Sequence, residues 1–182
     1  MLCAFAFERV GVVVSDLYFL NPKPLDGQET PERGVRLELR VFESGELPGS
    51  IYSARPITIG RPLWRVDLLQ DANAAPNTFD RTHHHPNVVG WEPGSRKFVE
   101  ELSDDPLRWL ADRFTNISSL LKEAGIAPDE ISTADADGLR DAAPEIVTTV
   151  RRMLERVWAG ELGQPKGDMS SGTVTSMRAS WL

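Results

Sequence analysis

Apolar and charged residues alternate regularly in two segments of the first half of the chain. In residues 35–41, aliphatic side chains at the odd positions are separated by charged ones, which predicts a strand with one aliphatic and one charged face. Residues 63–69 alternate in the same way, and a strand there places Arg65 and Asp67 together on the polar face. Both segments therefore predict strands of a sheet that buries one of its faces.

Further strand and turn signals surround these two segments. The valine-rich residues 10–20 favour a strand that is buried on both faces. Residues 51–59 predict another strand, interrupted at Pro56, and Gly60-Arg61-Pro62 predicts a turn after it. With a short additional strand at 87–94, the pattern predicts an antiparallel meander of four or five strands.

Apolar residues spaced by three and four predict helices in the second half of the chain. The first main helix covers residues 104–124 and follows a capping residue, Ser103. The second covers residues 144–159 and ends at Gly160, and a weaker stretch of one or two turns lies at 129–141. Two main helices packed on one face of the sheet give the α+β fold class.

The composition is that of an ordinary folded domain. The chain has 182 residues, of which 41% are hydrophobic and 26% charged, so one substantial core fits and two separate cores do not. Residues 1–162 are predicted to form a single α+β domain. Residues 163–182, rich in glycine, serine and threonine, are predicted to form a flexible C-terminal tail.

Charge and cysteine content limit the functional classes. A formal net charge of −7 disfavours general binding to nucleic acid. Cys3 is the only cysteine, which excludes an intramolecular disulfide and a thiolate zinc site. The apolar opening residues soon meet Glu8 and Arg9, and no apolar run approaches the roughly 18 residues of a membrane helix. We expect a cytoplasmic protein that does not bind or cross a membrane.

All three histidines are consecutive, at positions 83 to 85. In an extended backbone His83 and His85 lie on one face and His84 points to the other. Two imidazoles on one face, completed by a carboxylate such as Asp67 or Asp80, predict a site for a divalent transition metal with a position open to water.

The same residues also allow chemistry without a metal. His83 and His85 suit general acid and base catalysis, with Asp67 or Asp80 as the orienting carboxylate. Arg65 or Arg81 would then stabilise a developing negative charge on a small or phosphate-bearing ligand. This arrangement is typical of a metal-independent nuclease or phosphodiesterase.

Two less specific interpretations stay open. The histidines could belong to a solvated loop, and Arg65 and Asp67 could form an exposed ion pair, which is common on strands. The protein would then be a non-enzymatic interaction module that binds a protein partner.

The segment Trp64-Arg65-Val66-Asp67, followed by Phe79 and His83-His84-His85, resembles the TumE family of toxin components in bacterial toxin–antitoxin pairs. In that family a strand ending in Arg-Tyr-Asp precedes a histidine-rich segment, and Val66 replaces the tyrosine here. The resemblance implies a small, sheet-based, nuclease-like toxin.

Overall fold

An antiparallel sheet of five strands forms one layer of the computed structural model, which describes residues 1–24, 26–127 and 129–165. The strands pair in chain order, so each lies beside its predecessor, as in the predicted meander. They are β1 (Leu2–Ala6), β2 (Val10–Phe19), β3 (Glu32–Ser44), β4 (Ile57–Asp71) and β5 (His83–His85).

Helices follow the sheet in sequence and cover one of its faces, which confirms the α+β class. The longest of them, residues 133–158, contacts β2, β3 and the helix at residues 106–115. The helices are α1 (Glu100–Asp104), α2 (Pro106–Thr115), α3 (Ile117–Glu123) and α4 (Thr133–Trp158), preceded by a two-stranded ribbon of β6 (Val88–Val89) and β7 (Glu92–Pro93).

The core lies between the sheet and the helices. The aliphatic face predicted for residues 35–41 supplies Val35, Leu37 and Leu39, all fully buried. Trp64, on the same face of β4, is also fully buried and stacks on Trp109 of α2, with 6.0 Å between ring centroids. Burying each such large side chain stabilises the fold by about 1.5–3 kcal/mol.

Two strand predictions were wrong. Residues 51–56 form no strand, and β4 runs without a turn through Gly60-Arg61-Pro62. The β3–β4 register shifts around Arg40, opposite Pro62, so a proline without an amide donor is tolerated there. Strand β1 was not predicted because its five residues are all apolar and show no alternation.

The first predicted helix, 104–124, is not continuous: it consists of α2 and α3, and only its first residue, Asp104, belongs to α1. Asp105 separates α1 from α2 and accepts a hydrogen bond from the Arg108 amide at 3.1 Å, with Pro106 in the first turn of α2. Asn116 separates α2 from α3, and its side-chain amide donates to the Asp112 carbonyl at 3.1 Å. Such local hydrogen bonds compete with a continuous helix.

The helices predicted at 129–141 and 144–159 are one helix, α4, with Pro144 in its interior. Ser132 and Asp135 form a capping box at its start, and the Asp135 carboxylate also accepts from the amides of Glu8 and Arg9 at 2.8 and 2.9 Å. A buried apolar stripe continues on both sides of Pro144, so packing outweighs the interior-proline penalty of about 3 kcal/mol.

The predicted tail lies almost entirely outside the described residues, from position 166 onward. Just before it, the Gly163 amide donates to the Asp16 carboxylate at 2.9 Å. Within the described part of the chain, no helix combines the length and the apolar character needed to cross a membrane.

Candidate metal centre

Strand β5 consists of the three histidines and pairs with β4 at the edge of the sheet. His85 lies opposite Arg65, His84 opposite Val66, and His83 opposite Asp67. Side chains directly opposite each other in an antiparallel pair share a face. The predicted alternation is therefore confirmed, since His83 and His85 lie on the polar face with Asp67.

Asp67, His83 and His85 form the Asp–His–His cluster. Oδ2 of Asp67 lies 3.5 Å from Nε2 of His83 and 3.8 Å from Nε2 of His85. Each residue offers a ligand atom within 4.8 Å of the others, and all three side chains are at most 5% exposed. The cluster could hold a metal ion. Its three residues are those of the predicted metal site in which Asp67, rather than Asp80, supplies the carboxylate.

Backbone carbonyl groups fix the orientation of both imidazoles. Nδ1 of His83 lies 2.8 Å from the Arg81 carbonyl oxygen, and Nδ1 of His85 lies 2.6 Å from that of Gly94. A carbonyl oxygen only accepts, so each Nδ1 carries the proton and donates it. Both Nε2 atoms of the neutral rings are therefore left with a lone pair, as metal-bound histidines require.

Three electron-pair donors thus converge in a buried space: two imidazole nitrogens and one carboxylate oxygen. Among the described residues, Nε2 of His83 has no hydrogen-bond partner. A buried acceptor facing a carboxylate oxygen is unfavourable unless a cation or a proton lies between them. The donor set and this unsatisfied nitrogen fit a divalent transition metal.

Two arginines bind the Asp67 carboxylate: Arg36 lies opposite Asp67 on β3, and Arg65 lies two residues before it on β4. Arg36 places Nε 2.7 Å from Oδ1 and Nη2 3.3 Å from Oδ2 of Asp67, and Arg65 places Nη2 2.9 Å from Oδ2. Burial alone would raise the pKa of Asp67, but the two guanidinium groups outweigh it and hold that pKa well below its ordinary value. Asp67 is therefore ionised throughout the neutral range.

Burial also favours the neutral form of the histidines. It lowers the pKa of His85 to about 4, an effect that the nearby Arg65 reinforces and the Gly94 carbonyl opposes. Burial lowers the pKa of His83 as well, although Asp67 opposes the shift. Neutral imidazole is the form that binds a metal.

Two other predicted site residues lie elsewhere. Asp80, the alternative carboxylate, is exposed, and its Oδ1 accepts from the Asp71 amide at 3.0 Å. Arg81, the alternative anion binder, places Nη2 2.9 Å from the Gly27 carbonyl oxygen and 3.6 Å from the Asp71 carboxylate. The structure therefore groups Arg65 and Asp67, rather than Arg81 and Asp80, with the histidines.

His84 points to the opposite face, as predicted, and lies in the core. Its ring centroid is 5.2 Å from that of Trp109 and 6.3 Å from that of Trp64. Neither ring nitrogen has a hydrogen-bond partner in the described part of the chain. It serves the core and is not part of the cluster.

Sequence reasoning missed three contributors to the centre. Arg36 alternates with aliphatic residues, and this pattern places its side chain on the polar face of the strand. The pattern does not reveal that its partner there is Asp67. The Gly94 carbonyl carries no side-chain signal at all. Phe98 comes from the loop between β7 and α1, and its ring centroid lies 5.5 Å from that of His83.

Comparison of the chain with protein-family models, with curated proteins and with solved structures found no match. These comparisons leave the TumE resemblance untested, and function is inferred from the geometry of the site.

Proposed function

We propose that the protein binds a divalent transition metal through Nε2 of His83, Nε2 of His85 and Oδ2 of Asp67. The observation that carries the proposal is the pair of Nδ1 hydrogen bonds to backbone carbonyls, which directs both Nε2 lone pairs toward one carboxylate oxygen. Fixing the ring through its other nitrogen is the usual second-shell arrangement of metal-bound histidine.

The ligand types suggest the metal and its chemistry. Two imidazoles and a carboxylate suit zinc, iron, nickel or manganese. Such a metal, when bound, would act as a Lewis acid and lower the pKa of a bound water. We infer a hydrolytic centre for a small or phosphate-bearing ligand, which includes the nuclease-like activity that the resemblance to TumE implies.

Metal-free acid and base catalysis is less well supported by the same geometry. A general base or acid works best when its pKa lies near the working pH. Burial lowers the pKa of His85 to about 4, so at neutral pH the ring carries one proton, on Nδ1, and Nδ1 donates it to the Gly94 carbonyl oxygen. Nε2 then has no proton to give to a substrate. The arrangement suits a metal ligand better than a proton carrier.

Elemental analysis of protein made without an affinity tag tests the proposal. Wild type should contain near-stoichiometric zinc, iron, nickel or manganese, and His83→Ala/His85→Ala should contain none. Asp80→Asn is the matched control for Asp67→Asn, because Asp80 lies outside the cluster, so only Asp67→Asn should lose the metal. Absence of bound metal in wild type, with none taken up on addition of these ions, would contradict the proposal.

Activity is tested on the same proteins. Phosphomonoesters, phosphodiesters and RNA are incubated with metal-loaded wild type, with a chelator, and with the double histidine variant. Hydrolysis that requires both the metal and the histidines would support the hydrolytic centre. A metal-loaded protein without hydrolysis would leave metal binding intact and contradict the catalytic part.

The end of the β3–β4 hairpin favours a second candidate, a protein-interaction function. Ile51, Tyr52 and Ile57 are 82%, 91% and 63% exposed. Clustered exposed apolar side chains often mark a binding surface. In that case Ile51→Ser/Tyr52→Ser should abolish binding of the protein partner, and His83→Ala/His85→Ala should leave it unchanged. The metal centre predicts that only the histidine variant loses function.

A further inference from the structure

Arg65 contacts two of the three proposed metal ligands. Its Nη2 lies 2.9 Å from Oδ2 of Asp67 and 3.1 Å from Nε2 of His85. Because Nδ1 of His85 carries the proton, Nε2 accepts this hydrogen bond. The guanidinium group therefore occupies the single lone pair of His85 Nε2 and one lone pair of Asp67 Oδ2, the two atoms that a metal would also need.

We propose that Arg65 gates the metal centre: its guanidinium holds Asp67 and His85 before a metal binds, and metal binding displaces it. This inference rests on the proposed metal-binding function and adds its regulation. A cation bound by the cluster competes with Nη2 for two ligand atoms and is repelled by its positive charge.

The second arginine on Asp67 has a different role. Arg36 binds both carboxylate oxygens, through Nε and Nη2, and so fixes the carboxylate in place. Arg65 reaches the cluster through Nη2, and its buried Nε has no hydrogen-bond partner among the described residues. Arg65 is thus the less firmly held of the two, and Arg36 can retain Asp67 after Arg65 leaves.

Glu38 provides an alternative partner for Arg65. The two residues lie directly opposite each other on the polar face of β3 and β4. Opposite side chains in an antiparallel pair are within reach of each other, and opposite charges attract. Glu38 also pairs with Arg40, so a displaced Arg65 would join an existing ion pair. The gate is therefore a choice of Arg65 between Asp67 with His85 and Glu38.

Only molecules in which Arg65 has left the ligands can bind the metal. The apparent Kd is therefore the intrinsic Kd divided by the fraction of such molecules. Removing the guanidinium should tighten metal binding. Removing the Glu38 charge should weaken it, because the displaced Arg65 loses its partner. The second effect requires Arg65 and should disappear when Arg65 is absent.

Zinc titration by calorimetry, on protein stripped of metal, measures both effects. We expect Arg65→Met to bind zinc roughly tenfold tighter or more than wild type, because one competing positive charge is gone. Glu38→Gln should bind zinc more weakly than wild type, and the same change should have little effect in the Arg65→Met background. Such a double-mutant cycle reports on the gate rather than on general structure.

The control is Arg61→Met, on the same strand. Arg61 pairs with Glu130 at 2.6 Å, away from the cluster, and its loss should leave zinc affinity unchanged. Circular dichroism confirms that each variant is folded, and Glu38→Gln tests the gate if Arg65→Met does not fold.

The outcomes separate the gate from the metal site. Equal zinc affinity in wild type and Arg65→Met, or an equal effect of Glu38→Gln in both backgrounds, would overturn the gate and leave the metal site standing. Zinc binding by Arg65→Met alone would contradict metal binding by the wild type and would overturn the displacement of Arg65 by the metal. No zinc binding in either protein would overturn both proposals.

Discussion

At the scale of single residues, Asp67 is the centre of the polar face. Its buried carboxylate is the shared partner of two arginines and faces two imidazoles. A buried charge of this kind is stable only while its partners remain. Asp67 is therefore a structural residue as well as a proposed ligand.

Asp67→Asn should destabilise the metal-free protein by about 3 kcal/mol, because Arg36 and Arg65 lose their buried counter-charge. Urea unfolding measures the change. Asp80→Asn, at an exposed carboxylate, should change the free energy of unfolding by less than about 0.5 kcal/mol. Equal effects of the two replacements would contradict the assigned burial and pairing of Asp67.

His84 makes the stability depend on pH. Burial, reinforced by the nearby Arg113, lowers its pKa from 6.5 to about 4 in the folded protein. Between these values the unfolded chain binds a proton that the folded chain does not, so stability falls as the pH falls through this window. The full effect of this one group is about 3 kcal/mol.

Unfolding in urea at pH 7.5 and at pH 4.5, in the presence of a chelator, measures this dependence. His84→Leu should show a smaller loss of stability between the two pH values than wild type, because leucine does not titrate. His83 and His85 also have lowered pKa values and supply the part that persists in the variant. An unchanged difference would contradict a neutral, buried His84.

At the scale of elements, period-two patterns predicted which side chains share a face better than they predicted the strand boundaries. Alternation alone places His83 and His85 on one face of their strand, and the pairing of that strand with β4 brings Asp67 to the same face. Alternation does not say which strands are neighbours, so the sequence could not choose between Asp67 and Asp80. The contact of Arg36 with Asp67 depends on the β3–β4 register, which no local pattern contains.

Helix boundaries failed for a related reason. Pro144 is a strong local signal for a helix start, yet α4 passes through it because the apolar stripe on both sides is buried together. Here the free energy gained by tertiary packing outweighs the local preference of proline for a helix start. In the first predicted helix, Asp105 and Asn116 made local hydrogen bonds that outweighed a continuous apolar periodicity.

Pro144→Ala should therefore stabilise the protein by about 1–3 kcal/mol, because the exposed position regains an amide donor inside the helix. Thermal unfolding followed by circular dichroism measures the change. Glu145→Ala, at the neighbouring exposed position, is the control and should have little effect. A destabilising Pro144→Ala would show that the fold depends on the helix geometry that the proline imposes.

At the scale of the whole molecule, the proposed metal binding would be linked to folding. A ligand that binds only the folded state stabilises it by about 2.7 kcal/mol at a free concentration one hundred times its Kd. Zinc should raise the Tm of wild type, and the rise should disappear in His83→Ala/His85→Ala. Asp80→Asn should retain it, and an equal rise in the double histidine variant would place the metal elsewhere.

The meander topology has a kinetic consequence for this centre. Asp67 and the two histidines belong to neighbouring strands that are paired as one hairpin, β4–β5. The loop that joins the two strands spans residues 72–82. Closing a loop of this length costs little chain entropy compared with joining distant segments. Contacts between segments that are close in sequence can form before long-range ones, because less loop-closure entropy is lost in forming them. All three proposed ligands can therefore meet before the rest of the sheet is complete, and a metal ion present during synthesis could bind this hairpin as it emerges.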